Sequence, residues 1–291
     1  MPASPLPSGC NLQPKKSFGQ NFLVNRSAVE SIVRSAKESR AVRLLEIGPG
    51  AGALTELLLE DGRDLLAVEL DPEAIAFQRE RFSGSAHFHL IEGDAVTVAI
   101  PDGPPWSIVG NLPYNAATAI LTRFLLEPIP WDRMVLMFQL EVAQKLMGKP
   151  SEKAYGPLSI LAQLTCRMTR LMKLGPGSFN PPPKVDSAVL VFEPLPHALP
   201  LERRKALLDL LHRSFANRRK TLANNWNGWL DHGAAKAILE AEGLDPAVRA
   251  EAIPPAKWPE LLDCVEALHR ELPEGTYGVG PIGAGGETSR P

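Results

Sequence analysis

The stretch Gly110-Asn111-Leu112-Pro113-Tyr114-Asn115 places an amide side chain, a stiff backbone and an aromatic ring within four residues. The run before it, Trp106-Ser107-Ile108-Val109, is short, apolar and β-prone and reads as a buried strand. The amide and the ring therefore sit where a strand ends, with Pro113 limiting the backbone between them. Open α/β sheets bind ligands just outside such ends. The Asn111 side-chain oxygen and the Leu112 carbonyl offer two hydrogen-bond acceptors, and Tyr114 offers a flat face. That set suits an amino group carried on a planar ring.

A second chemical cluster is "LLEIGPGAGALT" at 44–55. Its glycines, Gly48, Gly50 and Gly52, fall at a strand-to-helix turn, where they permit a tight bend and a close ligand. Glu69 follows about twenty residues on, at the end of the next strand, where a carboxylate accepts hydrogen bonds from ribose hydroxyls. These two features alone suit NAD or an adenosine-containing methyl donor equally. Three others tilt the choice. Glu46 stands just before the glycines, where a carboxylate tolerates the cationic methionyl end of S-adenosylmethionine and sits poorly beside a pyrophosphate. "EGDA" at 92–95 ends a third strand with Asp94, placed to accept from an adenine amino group, and with Ala95. The tetrapeptide "NLPY" ends a fourth. All meet along one edge of a doubly wound sheet.

An Asn-Leu-Pro-Tyr tetrapeptide beside a methyl donor is the signature of methyltransferases that act on the exocyclic amino groups of bases. The adenine amino nitrogen is a poor nucleophile because its lone pair is delocalised into the ring. Two acceptors localise that pair and aim it at the methyl, and orientation of this kind supplies several kcal/mol of a barrier. They also stabilise the positive charge that develops on nitrogen. No strong general base is required.

The elements that must position these residues alternate. An amphipathic helix near 26–38 precedes the strand "VRLLEI" and a helix from about Ala53. The strand "DLLAVEL" precedes a helix opened by Asp71-Pro72. "HFHLIEG" and "WSIVG" are strands, with a helix over 115–126. "RMVLMFQ" is a strand and "EVAQKLM" a helix. Two β-prone runs, "LAQLTCRMTRLMKL" and "DSAVLVFEPL", close the region as an antiparallel edge hairpin. Such alternation implies an α/β fold with a mostly parallel, seven-stranded sheet covered on both faces. A Pro-rich break, "PLPHALP", separates it from helices predicted over 201–214, 218–229, 233–242 and 256–270. The expected division is a disordered N-terminus at 1–14, a first domain at 15–196, a small all-α domain at 197–272 and a disordered tail at 273–291.

Composition bounds the function. No apolar run among the 291 residues approaches the length of a membrane span. The first ten residues lack the basic start and apolar core of a signal peptide. Cys10, Cys166 and Cys264 are far apart with no clustered His, which argues against a zinc site or disulfide framework and fits a reducing cytoplasm. Net charge is −2, yet residues 133–184 hold eight Lys/Arg against two Asp/Glu, and 201–223 hold seven against two. A basic face thus survives an acidic average.

The ordered stretches "KKSFGQNFL", "LLEIGPGAGALT", "AVELD", "EGDA", "GNLPYN", "FQLEVAQKL", "YGPLS", "FNPPPKVDSAV" and "FANRRKTLANN" together resemble the rRNA adenine N-dimethyltransferase family, on the side of its bacterial small-subunit members. The resemblance spans roughly residues 15–270. It implies a Rossmann-like, class I methyltransferase fold using S-adenosylmethionine. It also implies dimethylation of two adjacent adenosines in the 3′-terminal hairpin of small-subunit (16S) rRNA, together with a part in subunit biogenesis. By the same resemblance, Asn21 and Leu23 close over the donor, and Gly48, Gly50, Glu69, Asp94, Ala95 and Asn111 line its site. Asn111, Leu112, Pro113 and Tyr114 form the catalytic tetrapeptide, with Phe179 exposed to stack on the target base. Lys184, Arg218, Arg219 and Lys220 look like phosphate contacts. No metal is implied, and a monomer is expected. Ala116 departs from the larger aliphatic usual in the family. Three other readings stay open: a large-subunit rRNA dimethyltransferase of the macrolide-resistance type, an NAD-dependent oxidoreductase, and a non-catalytic assembly factor.

Overall fold

The central strands are buried along nearly their whole length, as a parallel sheet covered on both faces requires. The computed structural model describes residues 12–15 and 19–271. A two-residue strand β1 (Phe22–Leu23) leads into α1 (Arg26–Lys37), β2 (Arg43–Ile47), α2 (Ala53–Leu59), β3 (Asp64–Glu69), α3 (Pro72–Arg81), β4 (Phe88–Glu92) and β5 (Trp106–Asn111). Then come α4 (Ala117–Leu126), β6 (Trp131–Gln139), α5 (Leu140–Leu146), α6 (Pro157–Thr165), β7 (Cys166–Leu174), β8 (Phe179–Asn180) and β9 (Ser187–Pro194). Helices α7 (Leu201–Ser214), α8 (Leu222–Trp226), α9 (His232–Ala241) and α10 (Trp258–Glu271) complete the described chain.

The seven-stranded sheet has the order β4-β3-β2-β5-β6-β9-β7. Its pairs from β4 through β6 are parallel, and β9 runs antiparallel to both β6 and β7. The last two strands do form the expected antiparallel pair, although β9 lies inside and β7 takes the edge. The order reverses between β2 and β5, so the crevice at their C-terminal ends is the natural ligand site. Local sequence explains the flanking helices. Asn25 caps α1 by accepting from the Ala28 amide at 3.2 Å. The buried residues Ala28, Val29, Ile32, Val33 and Ala36 line one face of that helix. Asp71 caps α3, whose first residue is Pro72.

The chain folds as two compact units. One holds the chain up to Ala143 with Cys166–Pro196; the other holds Gln144–Thr165 with the residues from His197 on. The Pro-rich break suggests a single cut at 196/197, but residues 144–165 pack within the helical unit. The first five residues of one expected strand are correspondingly helical, because "LAQLT" forms the end of α6 and β7 begins only at Cys166. An unbroken apolar run has no periodicity to separate strand from helix, and Leu, Ala and Gln favour the helix. The helix expected over 218–229 shrinks to α8, because Thr221 caps it by accepting from the Asn224 amide. Inside the helical unit, Trp226, Trp258 and Tyr155 are fully buried. The Tyr155 hydroxyl donates to the Ile253 carbonyl at 2.6 Å.

The termini expected to be disordered lie outside the described residues, except at 12–14. There Leu12 is buried with Phe22, Ala51 and Ala74.

Candidate active site

The ends of β2, β3, β4 and β5 and the segment before α1 surround a cavity of about 210 Å³. Asn21, Leu23, Glu46, Gly48, Gly50, Glu69, Asp94, Ala95 and the run Asn111–Asn115 all line it. The structure thus brings together every expected donor-site residue and the whole tetrapeptide.

The glycine turn is built from the backbone outward. The Gly50 amide donates to Glu69 Oε2 at 3.0 Å, while Glu69 Oε1 accepts from the Leu70 and Asp71 amides at 2.8 and 3.0 Å. Gly50 has φ +52, and a Cβ there would lie 3.0 Å from the Phe22 ring. Only glycine permits both that conformation and that approach. Buried Gln78 donates to the Gly50 carbonyl at 2.7 Å and braces the turn from behind.

Asp94 is exposed, and its Oδ1 accepts from the Val96 amide at 2.8 Å. The loop it opens is held by Arg123, whose side chain is 6% exposed. Arg123 donates to the carbonyls of Ala95 and Val98 at 2.8 and 2.6 Å and to Glu127 at 2.7 Å. Sequence reading did not single out Arg123, yet a lone arginine in the apolar helix "ATAILTRFLL" is the signal that could have found it.

Glu46 is 1% exposed and accepts from the Thr55 hydroxyl at 2.7 Å. Burial pushes its pKa up from 4.5 to about 8; the Thr55 hydrogen bond opposes this, and the charge of Glu69 adds to it. Glu46 is therefore largely neutral at pH 7 until a cation arrives beside it.

The tetrapeptide has a defined orientation. Asn111 Nδ2 donates to the Asn21 carbonyl at 2.8 Å. Among the described residues its Oδ1 has no hydrogen-bond partner, so the acceptor end of the amide is the available one. The Pro113 carbonyl accepts from the Ala116 and Ala117 amides at 3.0 and 2.9 Å and starts α4. Leu112 is buried. Tyr114 is half-buried, and its hydroxyl lies 2.5 Å from Ser187 Oγ, which locks the ring angle. Burial raises the Tyr114 pKa, with the Ser187 hydrogen bond opposing.

Two expectations need correction. Phe179 is not an exposed stacking face: it is 4% exposed, paired opposite Leu23 in the β1–β8 ladder, and packed in the core. Strand pairing with the segment before α1 draws the ring inward. Arg218 is not a free cation either. Its guanidinium holds Glu251 at 3.0 Å and the carbonyls of Lys153 and Glu152 at 2.7 and 3.2 Å, all within the helical unit. Arg219, Lys220 and Lys184 are exposed. Among the described residues no group of three His, Cys, Asp or Glu could hold a metal, and no helix is long and apolar enough to cross a membrane.

A family model described as ribosomal RNA adenine dimethylase matches residues 11–266. The chain belongs to the ribosomal RNA adenine dimethylase family. Relatives agree with this membership. The ribosomal RNA small subunit methyltransferase A of Pseudomonas fluorescens is 39% identical over 257 residues, 86% of this chain and 93% of its own. Its counterpart in Geobacter sulfurreducens is 38% identical over 84% of this chain and 92% of its own. The fold is shared with a dimethyladenosine transferase from Plasmodium falciparum, at TM-score 0.70 and 23% identity, covering 82% of this chain and 95% of that one. It is shared also with the 23S rRNA methyltransferase ErmE, at TM-score 0.65 and 24% identity, covering 84% and 99%. The members' methyl donor fits the residues present. The buried Glu46 on the cavity suits a cationic group, and the carboxylates of Glu69 and Asp94 on the same cavity suit the hydroxyl and amino donors of an adenosine.

Proposed function

We propose that this protein dimethylates the exocyclic amino groups of two adjacent adenosines in the 3′-terminal hairpin of small-subunit rRNA, and acts in biogenesis of that subunit. The observation that carries the chemistry is the orientation of Asn111: Nδ2 is committed to the Asn21 carbonyl, and Oδ1 is left as an acceptor on the cavity. The small-subunit assignment draws on relatives of that name at 38–39% identity, whereas the large-subunit enzyme shares the fold alone.

When bound, S-adenosylmethionine supplies an electrophilic methyl group on a sulfonium. Gly48 and Gly50 would give it backbone to lie against, Glu69 would accept from its ribose hydroxyls, and Asp94 would accept from its adenine amino group. Asn21, Leu23 and Ala95 wall the site. Asn111 Oδ1 and the Leu112 carbonyl accept the two N–H bonds of the target amino group, which localises its lone pair. Pro113 keeps these acceptors in register, and the Tyr114 ring packs on the base. After the first transfer one N–H remains, so one acceptor contact survives for the second. The proton of the cationic product leaves to water.

The target base must leave its stack, at a cost of a few kcal/mol that is least in a loop. Lys184, Arg219 and Lys220 contact phosphates, while Arg218 shapes the surface that presents its neighbours. The protein works as a cytoplasmic monomer on the small subunit or its precursor.

The test is methyl transfer from labelled S-adenosylmethionine to small subunits lacking the modification, with large subunits in parallel. Dimethyladenosine in small subunits only, lost in Asn111→Ala, is the expected result. Label confined to large subunits would transfer the assignment, and no label despite donor binding would leave an assembly role.

A further inference from the structure

We propose that Asp71 is a positioning residue for the target amino group, clamping the segment before α1 so that the Asn21 carbonyl holds the Asn111 amide. This inference rests on the reading of Asn111 given above and adds the group that orients it.

Asp71 is 2% exposed, and both of its oxygens are spent. Oδ1 accepts from Lys15 Nζ at 2.6 Å and from the Glu73 amide at 3.1 Å, and Oδ2 accepts from Gln20 Nε2 at 2.9 Å. Gln20 closes the clamp by accepting from the Lys15 amide at 2.8 Å. The next residue is Asn21, whose carbonyl receives Asn111 Nδ2. Two hydrogen bonds, joined by the peptide link between Gln20 and Asn21, therefore connect Asp71 to the catalytic amide.

Two further contacts place this segment against the chemistry. Gly19, at φ +62, passes so close that a Cβ would lie 3.1 Å from Asn115 Oδ1 and 3.7 Å from the Tyr114 nitrogen. Phe22 covers the Gly50 turn on the other side. Capping α3 does not explain this arrangement. A cap needs one acceptor for the Glu73 amide, and serine serves as well there. The second oxygen, the negative charge and the burial all serve Lys15 and Gln20. Were the amide free to turn over, Nδ2 would meet the target N–H bonds and donor would face donor.

Asp71→Ser separates the two roles, because it keeps the helix cap and cannot reach Lys15 and Gln20 together. Gln20→Leu breaks the clamp from outside α3 and carries the test should Asp71→Ser fail to fold. Both variants, the double variant and Asn111→Ala are assayed on unmodified small subunits at saturating donor, with thermal unfolding as the check on folding. The expected result is a kcat lower by about tenfold to a hundredfold in each clamp variant. The double variant should be no worse than the more severe single one. A wild-type kcat in the folded clamp variants, even with a raised donor KM, would show that the segment only walls the donor site and would overturn the proposal. Multiplying effects in the double variant would overturn it too. A wild-type kcat in Asn111→Ala would instead remove the reading of Asn111 itself, and the clamp with it.

Discussion

Replacing Glu46 by Gln keeps the side chain's shape and its hydrogen bond with Thr55 but removes a proton-binding site from the interior. Folding raises the Glu46 pKa above its unfolded value, from 4.5 to about 8. The folded state therefore holds this proton more tightly than the unfolded chain does. Its contribution to stability is fully present below about pH 4.5 and is lost as pH rises through 8. At about 1.36 kcal/mol per pH unit, the loss is on the order of 3 kcal/mol at pH 7 and on the order of 5 kcal/mol by pH 9. Wild type and Glu46→Gln should thus be similar in stability near pH 4.5, with the variant pulling ahead as pH rises. Urea unfolding at a series of pH values measures this as a difference, in which the other titrating groups cancel. A difference that stays constant between pH 5 and 9 would refute the burial argument. Binding of the cationic donor gives the complementary signature. Glu46 must ionise to face a cation, so donor affinity should rise about tenfold per pH unit from pH 6 to 8, with about one proton released. In Glu46→Gln that slope should vanish, and calorimetry in buffers of different ionisation enthalpy reads the released proton directly.

Arg123→Leu strands the Ala95 and Val98 carbonyls and frees the loop that carries Asp94. Donor KM should rise about tenfold with kcat little changed, and stability should fall by about 1–3 kcal/mol for each orphaned carbonyl that stays buried. A kcat effect with unchanged donor KM would contradict this. Tyr155→Phe leaves the Ile253 carbonyl unpaired in the helical unit and should lower stability by about 1–3 kcal/mol, read as a drop in Tm. Arg219→Ala and Lys220→Ala should each weaken RNA binding and reduce its salt dependence by about one counterion. Arg218→Ala should instead lower stability first, and a full loss of salt dependence in that variant alone would reverse the assignment.

Much of the molecule was legible because its signals are local. Glycines at a strand-to-helix turn, an acid at the end of the next strand and Asp-Pro at a helix start each have a backbone reason that neighbouring residues supply. The alternation of apolar strands with helices then determines a parallel sheet, and a parallel sheet brings the ends of β2, β3, β4 and β5 together. That is why Gly48, Gly50, Glu69, Asp94 and Asn111 could be placed in one site from sequence. Where long-range partners decide, sequence was silent or misleading. Phe179 looked exposed among prolines, but pairing with Leu23 buries it. Arg218 looked like one of three equal cations, but carbonyls from a segment some 65 residues away claim it. Residues 161–165 looked like strand, because an apolar run carries no period, and packing in the helical unit made them helix. Asn111 itself divides the same way. Its presence at a strand end is a sequence fact, but which end of its amide meets the substrate depends on the carbonyl of Asn21, 90 residues earlier. Hydrogen-bond direction is set by the partner, and only the folded chain supplies the partner.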